Sequence, residues 1–338
     1  VSVSTPRRKR PTIRDVAREA GLSHGTVSRV LNGGTSVSPV AMRQVQDAIE
    51  RTGYVANKHA RSLASGRSNT VAFLLTEPHH LLFEDPNFST LLRGTAQALS
   101  DLDLPLVLVM ASTPSERRRT LGYLTNGQVD GVLAVSSHAG EPLLDDLVRA
   151  GVPVIACGRP LGQKARVGYV AADDVGGARE MTEHLIGTGR RRIAMISGPL
   201  DTSGGVDRMA GYRQAVGAEW DEELVAHGQY SRAGGRAAMA ELLTRADDLD
   251  AVFVGSDLMA AGALETLRAA GRSVPADVAV AGFDDSALAT GLEPALSTVH
   301  QPLQRICTEM VRLLLQVIDG EEPMSVTVPT RLVLRDST

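Results

Sequence analysis

Two sets of side chains have the types and spacing to do chemistry. The first lies in SHGTVSRVLN, residues 23–32. On a 3.6-residue period Val27, Val30 and Leu31 share one side, while His24, Gly25, Ser28, Arg29 and Asn32 share the other. A guanidinium on such a face can donate to guanine O6 and N7 at once. The second set lies at the ends of apolar runs. Asp257 follows AVFVGS, and Asp284 and Asp285 follow VAVAGF. Arg208 opens a helix after the glycine-rich stretch GPLDTSGGVD. Aspartates accept from hydroxyls and arginine donates in a planar fork, a combination that suits a polyhydroxylated ligand. Asp85, Phe88, His138 and Arg159 lie near earlier strand ends, and Phe88 can stack on a sugar face. Asp257 equally suits a helix cap before LMAAGALETL, and Asp285 can be a cap as well.

Covalent and metal chemistry find little support. The sequence contains no H-E-x-x-H, no phosphate-binding G-x-x-x-x-G-K-[ST] and no strand-linked G-x-G-x-x-G. His79–His80 lacks a third ligand at metal spacing, and Cys157 and Cys307 sit in apolar surroundings that suit reduced, buried thiols. No catalytic residue, metal or cofactor is expected, and the chain does not read as an enzyme.

The elements that must position these residues are legible in outline. Thr12 precedes IRDVAREA with Asp15 three residues on, a capping-box spacing. Ile13, Val16, Ala17 and Ala20 form one apolar face, Gly21 supplies a left-handed stop, and Ser23 caps the next helix. A third helix starts at Ser38 with Pro39 at its first position, and Val45, Ala48 and Ile49 close a small core. Two short helices about a tight glycine turn, braced by a third, describe a helix-turn-helix unit over residues 12–56. From Asn69 the pattern changes. Apolar strands at 71–75, 105–110, 130–135 and 152–157 alternate with helices at 88–99, 114–125 and 142–150. A second series follows, with strands in RIAMISG, ELVAHG, AVFVGSD and VAVAGFDD, then a helix over Pro302–Asp319 and strands at 325–328 and 331–334. Short buried strands covered by helices mean an α/β fold of doubly wound parallel sheets, here in two half-units.

The runs IRDVAREAGLSHGTVSRVLN, VSPVAMRQVQDAIERTGYVAN and KHARSLASG resemble the lactose-repressor (LacI/GalR) family of bacterial regulators, closely in the head and loosely over nearly the whole chain. SGPLDTSGGVDRMAGY and GRPLG are similar to motifs of its actinobacterial β-glucoside and cellobiose-type members. The resemblance implies that the second helix lies in the major groove of a palindromic operator, with Thr12, Ser23, His24, Gly25, Thr26, Ser28, Arg29, Asn32, Asn57 and Arg61 at the DNA. Gly25 departs from the side-chain-bearing reader usual at its position. Leu63 matches the leucine that wedges into the minor groove. The same resemblance implies a two-lobed, periplasmic-binding-protein-like core, crossed three times by the chain, with an effector in the cleft. Lobe one would take residues 69–167 and 298–327, lobe two 168–297 and 328–338. Arg208 and Asp284 match the family's most frequent effector contacts; Asp257, Asp85, Phe88, His138 and Arg159 complete the candidate set. A homodimer through the helices at 88–99 and 114–125 is implied, without the family's tetramerising C-terminal heptad helix.

Charge divides the chain as this scheme needs. The formal net charge is −4, yet residues 1–70 carry 12 Lys/Arg against 4 Asp/Glu. That basic end is an electrostatic footprint for phosphate. Arg7, Arg8, Lys9 and Arg10 form a basic tail over 1–11, a phosphate-binding arm or a solubilising one. Asn57–Gly66, the core of a hinge over 57–68, holds one helical segment of under ten residues, too short to be stable alone and expected to fold on DNA. No signal peptide and no apolar run of membrane length is evident, so a cytoplasmic, nucleoid-associated place with no membrane partner is expected. The expected function is repression of carbohydrate-utilisation genes, relieved by a sugar or glycoside. Co-repression by a small ligand such as a purine, and a plain solute-binding role, are the alternatives.

Overall fold

The structure is a computed structural model that describes residues 11–31, 37–54, 67–162 and 166–338. It divides into two compact units, Val1–Ser68 and Asn69–Thr338. The tail at 1–10 and the hinge segment 57–66 lie outside the described residues, as do Asn32, Asn57, Arg61 and Leu63.

The first unit holds α1 (Ile13–Ala20), α2 (His24–Leu31) and α3 (Pro39–Thr52). Local signals set each boundary. The Asp15 carboxylate takes the N–H and the hydroxyl of Thr12 at 2.9 and 2.8 Å. Gly21 stops α1 at φ 66°, and the Leu22 N–H turns back to the Ala17 carbonyl at 3.0 Å. Ser23 Oγ accepts from the Thr26 N–H, and Ser38 Oγ from the Ala41 N–H. Val16, Ala17, Val27, Val45 and Ala48 are buried together, with Val30, Leu31 and Ile49 packed around them. Each fully buried valine stabilises by about 1.5–3 kcal/mol, enough to hold a short unit whose helices would be marginal alone.

The second unit is built on two six-stranded sheets. The first contains β1 (Val71–Leu75), β2 (Leu106–Met110), β3 (Gly131–Val135), β4 (Val154–Cys157), β5 (Gly168–Ala172) and β11 (Ser325–Val328), in the order β11-β5-β4-β3-β1-β2. The second contains β6 (Ile193–Ser197), β7 (Val225–His227), β8 (Ala251–Val254), β9 (Ala279–Asp284), β10 (Ser297–His300) and β12 (Arg331–Val333), in the order β12-β10-β9-β8-β6-β7. All pairings are parallel except β10 with β12. In β1 the side chains alternate between two cores. Val71, Phe73 and Leu75 meet Leu91 and Leu99 of α5 (Pro86–Ser100) and Met310 and Leu314 of α12 (Leu303–Ile318), while Ala72 and Leu74 meet Leu124 of α6 (Pro114–Thr125) and Leu147 of α7 (Leu143–Arg149). A short α4 (Leu81–Glu84) precedes α5. Coverage on both faces explains why VAFLL has no polar residue.

In the second lobe α8 (Asp174–Gly187) and α9 (Ser203–Val216) cover one face; α10 (Arg232–Arg245) and α11 (Asp257–Ala269) cover the other. Helices α8 and α9 approach so closely at Gly211 that a Cβ there would fall 2.3 Å from the Val175 carbonyl oxygen. This nesting seats the base of α9, the helix that carries Arg208.

The chain crosses between lobes three times: after β5, after β10 and between β11 and β12. Two boundaries differ from expectation. β5, placed in lobe two by a break at 167/168, pairs with β4 and β11 in the first sheet. β10, placed in lobe one from residue 298, pairs with β9 in the second. Neither segment was read as a strand from the sequence, and only hydrogen-bonding partners far along the chain reveal each as one.

Candidate functional site

The first candidate site is the outer face of α2. His24, Gly25 and Arg29 are exposed, and Thr26 and Ser28 are half-buried. Arg29 Nε donates to the Gly25 carbonyl at 3.3 Å, which lays the guanidinium along the helix surface. A Cβ at Gly25 would meet nothing closer than Ser23 Oγ at 3.9 Å, so packing does not require glycine there. Thr12, Ser23 and Thr26 have structural duties, since their side chains close the starts of α1 and α2. The run GLSHG at 21–25 fits the pattern G-x-S-x-G. Ser23 nevertheless joins two helices and caps one, whereas a nucleophile elbow sits between a strand and a helix.

The second site lies in the cleft between the two lobes, a cavity of ≈ 150 Å³. The start of α5 brings Asp85 and Phe88 to it, and strand ends bring Ser136 and Cys157 from lobe one and Tyr230, Ser256 and Asp284 from lobe two. Arg208 is its anchor. The guanidinium is 6 % exposed and stacks on the Phe283 ring, 3.8 Å from its centroid. Its Nε donates to Asp174 at 2.8 Å, and Nη1 donates to the Gly255 carbonyl at 2.6 Å and to Asp284 at 3.4 Å. Burial works against its charge, but the carboxylates, Asp174 foremost, outweigh that and keep it protonated. Burial raises Asp174 and Asp284 above the usual carboxylate range, with Arg208 pulling both back. Asp284 also accepts from Gln301 Nε2 at 2.6 Å and holds a backbone φ of 121°. Asp285 follows at φ 55°. Such strain at non-glycine residues persists only where neighbours enforce it, and it gathers at binding sites.

The expected set divides. Asp85, Phe88, Arg208 and Asp284 line the cavity; Asp257, His138 and Arg159 do not. Asp257 is fully buried behind the wall, where it accepts from the Thr298 hydroxyl at 2.6 Å and the Ser286 N–H at 2.7 Å. Burial, then the charge of Asp284, push it up to about 8. It is not the helix cap either: Ser256 caps α11, and Asp257 is its first residue. Asp285 serves structure, paired with His300 and Arg335. His138 and Arg159 instead clasp the lip. His138 Nε2 meets Glu77 and Nδ1 meets Asp201, each at 2.9 Å, and the Ala139 N–H donates to the Asp201 carbonyl at 2.7 Å. Arg159 pairs with Asp207 across the same gap. The Glu77 hydrogen bond chiefly, aided by Asp201 and opposed by burial, lifts His138 to about 9.

Sequence reasoning missed Tyr230, Asp174, Asn87 and Gln301, all in the lining. Tyr230 is wedged at φ 47°; a Cβ at Gly198 would fall 2.1 Å from its ring and one at Gly204 2.9 Å from its oxygen. Its hydroxyl is buried and makes no well-formed hydrogen bond, and burial pushes its pKa up to about 12. No local pattern in the sequence marks it, because Gly198 and Gly204 come opposite Tyr230 only in the fold. Among the described residues no group of His, Cys, Asp or Glu could hold a metal ion, and no helix is long and apolar enough to cross a membrane.

Comparison with known proteins identifies both units. Residues 12–57 match the family of bacterial regulatory proteins, lacI family, and residues 182–338 match a periplasmic binding protein-like domain. The HTH-type transcriptional regulator CelR of Thermobifida fusca is 47% identical over 337 residues, covering 98% of this chain and 99% of the relative. The HTH-type transcriptional regulator AscG of Escherichia coli is 31% identical over 332 residues, covering 96% and 98%. A solved CelR–cellobiose complex superposes with a TM-score of 0.78 at 45% identity, covering 97% of this chain and 100% of that one. The lac repressor dimer bound to operator and the anti-inducer ONPF shares the fold, with a TM-score of 0.86 at 24% identity, covering 97% and 99%. A helix-turn-helix head and a two-lobed periplasmic-binding-protein-like core are thus joined in one chain that matches these relatives over nearly its whole length: the protein belongs to the LacI family of bacterial regulatory proteins.

Proposed function

We propose that this protein represses carbohydrate-utilisation genes by binding a palindromic operator as a homodimer, acting at the nucleoid, and that a neutral β-glucoside of the cellobiose type in the cleft releases it. One observation carries the reading. Arg208 is pinned between Asp174 and Asp284 beside the buried Tyr230 hydroxyl, so donors and acceptors converge on the inter-lobe cavity of ≈ 150 Å³, an arrangement that suits sugar hydroxyls. The relative CelR, solved with cellobiose, supports the ligand class. His24, Ser28 and Arg29 read the operator from α2, and the chain acts by binding, not catalysis. A sugar that draws the lobes together favours one core arrangement over another, and by linkage the operator weakens the sugar by the same factor as the sugar weakens the operator.

The test is fluorescence anisotropy on a palindromic site selected from random duplexes, titrated with cellobiose. Release at sugar concentrations that leave non-specific binding unchanged is expected. Tightening would establish co-repression instead, and no response would place the ligand outside this class.

A further inference from the structure

Asp85 stands apart from the other carboxylates of the cleft. Asp174 and Asp284 both reach the Arg208 guanidinium, and Asp257 is held by Thr298 and Ser286. Asp85 is 8 % exposed, yet the hydrogen bond it accepts comes from the Asn87 N–H of its own helix, at 2.9 Å. No ion pair to it occurs among the described residues. The charged groups that face it come from three other elements: Asp284 at the end of β9, Arg208 on α9, and Glu77 after β1. Glu77 is itself held by His138 and the Ser136 hydroxyl, and Arg208 by Asp174. The lining therefore sets three carboxylates, Asp85, Asp174 and Asp284, against the single guanidinium of Arg208. The second guanidinium nearby, Arg159, is committed to Asp207 at the lip.

We propose that Asp85 is a charge filter, which makes the cleft selective for uncharged sugars and against the same sugars bearing a carboxylate, sulfate or phosphate. The proposal rests on the sugar reading above and names the residue that sets its charge class. An ionised Asp85 accepts a hydroxyl from a neutral sugar, and that bond offsets part of the cost of its burial. A ligand anion about 5 Å from Asp85, at an effective dielectric near 20, is repelled by roughly two- to three-hundredfold in affinity. Arg208 does not relieve this, because its charge is already shared by two aspartates. Burial first, then the charge of Asp284, push Asp85 up to about 7, so a proton can open the filter. Neutral and anionic sugars then have opposite pH slopes. The neutral ligand gains as Asp85 ionises, whereas the anion gains as it is protonated.

Titration calorimetry on the full chain at pH 5.8, 7.0 and 8.5 tests this with two probes. One is cellobiose; the other is cellobiouronic acid, the same disaccharide with a carboxylate for one primary hydroxyl, ionised throughout this range. The readout is the ratio of the two affinities, in which titrations common to both ligands cancel. The ratio should move at least tenfold in favour of cellobiose between pH 5.8 and 8.5. In Asp85→Asn, whose amide can still cap α5, that movement should shrink several-fold and the acid should gain at least tenfold on cellobiose at pH 8.5 relative to the wild type. Equal binding of both probes by the wild type at pH 8.5, or a variant that rejects the acid as the wild type does, overturns the filter while the sugar reading stands. If cellobiose fails to bind at every pH, the sugar reading falls and the filter with it. Should the variant not fold, the pH dependence of the wild-type ratio decides alone.

Discussion

Replacing Arg208 with methionine keeps the length and apolar stem of the side chain and removes its charge. Three hydrogen bonds go with it, those to Asp174, the Gly255 carbonyl and Asp284. Removing one partner of a buried ion cluster costs about 3–5 kcal/mol, and an orphaned carbonyl adds about 1–3 kcal/mol. The two aspartates recover part of this by taking up protons, because burial already holds both above the ordinary carboxylate range. A net loss of about 4 kcal/mol near pH 8 follows. The sign of the pH dependence is fixed. A carboxyl with a raised folded-state pKa contributes least when ionised, so stability is lost as pH rises through that value. Without Arg208 both values rise further, and the gap between variant and wild type must widen as pH rises above the ordinary carboxylate range. Trp220, the single tryptophan, packs edge-on to Tyr212 in lobe two and reports unfolding of that lobe by fluorescence in urea. A loss under about 1 kcal/mol at pH 8, or a gap that does not change with pH, would refute the claim that a compensated buried charge holds this site together. The same variant should still bind operator but ignore sugar.

Three further outcomes are expected. Arg29→Ala should cost about 1–3 kcal/mol on the selected operator and little on random duplex in competition anisotropy; equal losses on both would make Arg29 a phosphate contact only. Gly211→Ala should lower core stability by roughly 1–3 kcal/mol in thermal denaturation, because the new Cβ collides with the Val175 carbonyl and must push α9 off α8; an unchanged midpoint would show that the helices separate freely. His138→Gln should remove the lip clasp. With the His138 pKa raised to about 9, the clasp is fully present below the ordinary histidine value and is lost as pH rises through about 9. The wild-type thermal midpoint should therefore fall between about pH 6.5 and 9 and level off above, a decline that the variant lacks, which is checked by melting curves between about pH 5.5 and 10.

Much of this molecule was legible before its structure, for one physical reason: the signals are local. Thr12 with Asp15, Gly21, Ser23, and Ser38 with Pro39 act within a helical turn of themselves, and each element starts or stops where they stand. Pro114–Thr125 was readable to the residue because Thr113 and Glu116 close a capping box there. Burial on both faces turns a strand into an unbroken apolar run such as VAFLL, so ten of the twelve strands and the fold class also followed from the chain, while the less uniformly apolar β5 and β10 did not stand out. The candidate residues Arg208 and Asp284 were reachable by likeness to a family, and Asp85 and Phe88 by their place near strand ends.

What tertiary structure decided are matters of partnership across the chain. β5 and β10 changed lobes because the strands that bind them, β11 and β9, are set by sheet order and not by composition. Asp257 proved to be a wall bracket and His138 a clasp, since Thr298 lies 41 residues from the one and Asp201 63 residues from the other. Asp174 and Tyr230 entered the site for the same reason. A carboxylate at a helix start and a phenol beyond a short strand carry no mark of function in sequence. They acquire one only when folding sets them around a single guanidinium, where desolvation turns ordinary polar groups into a binding site.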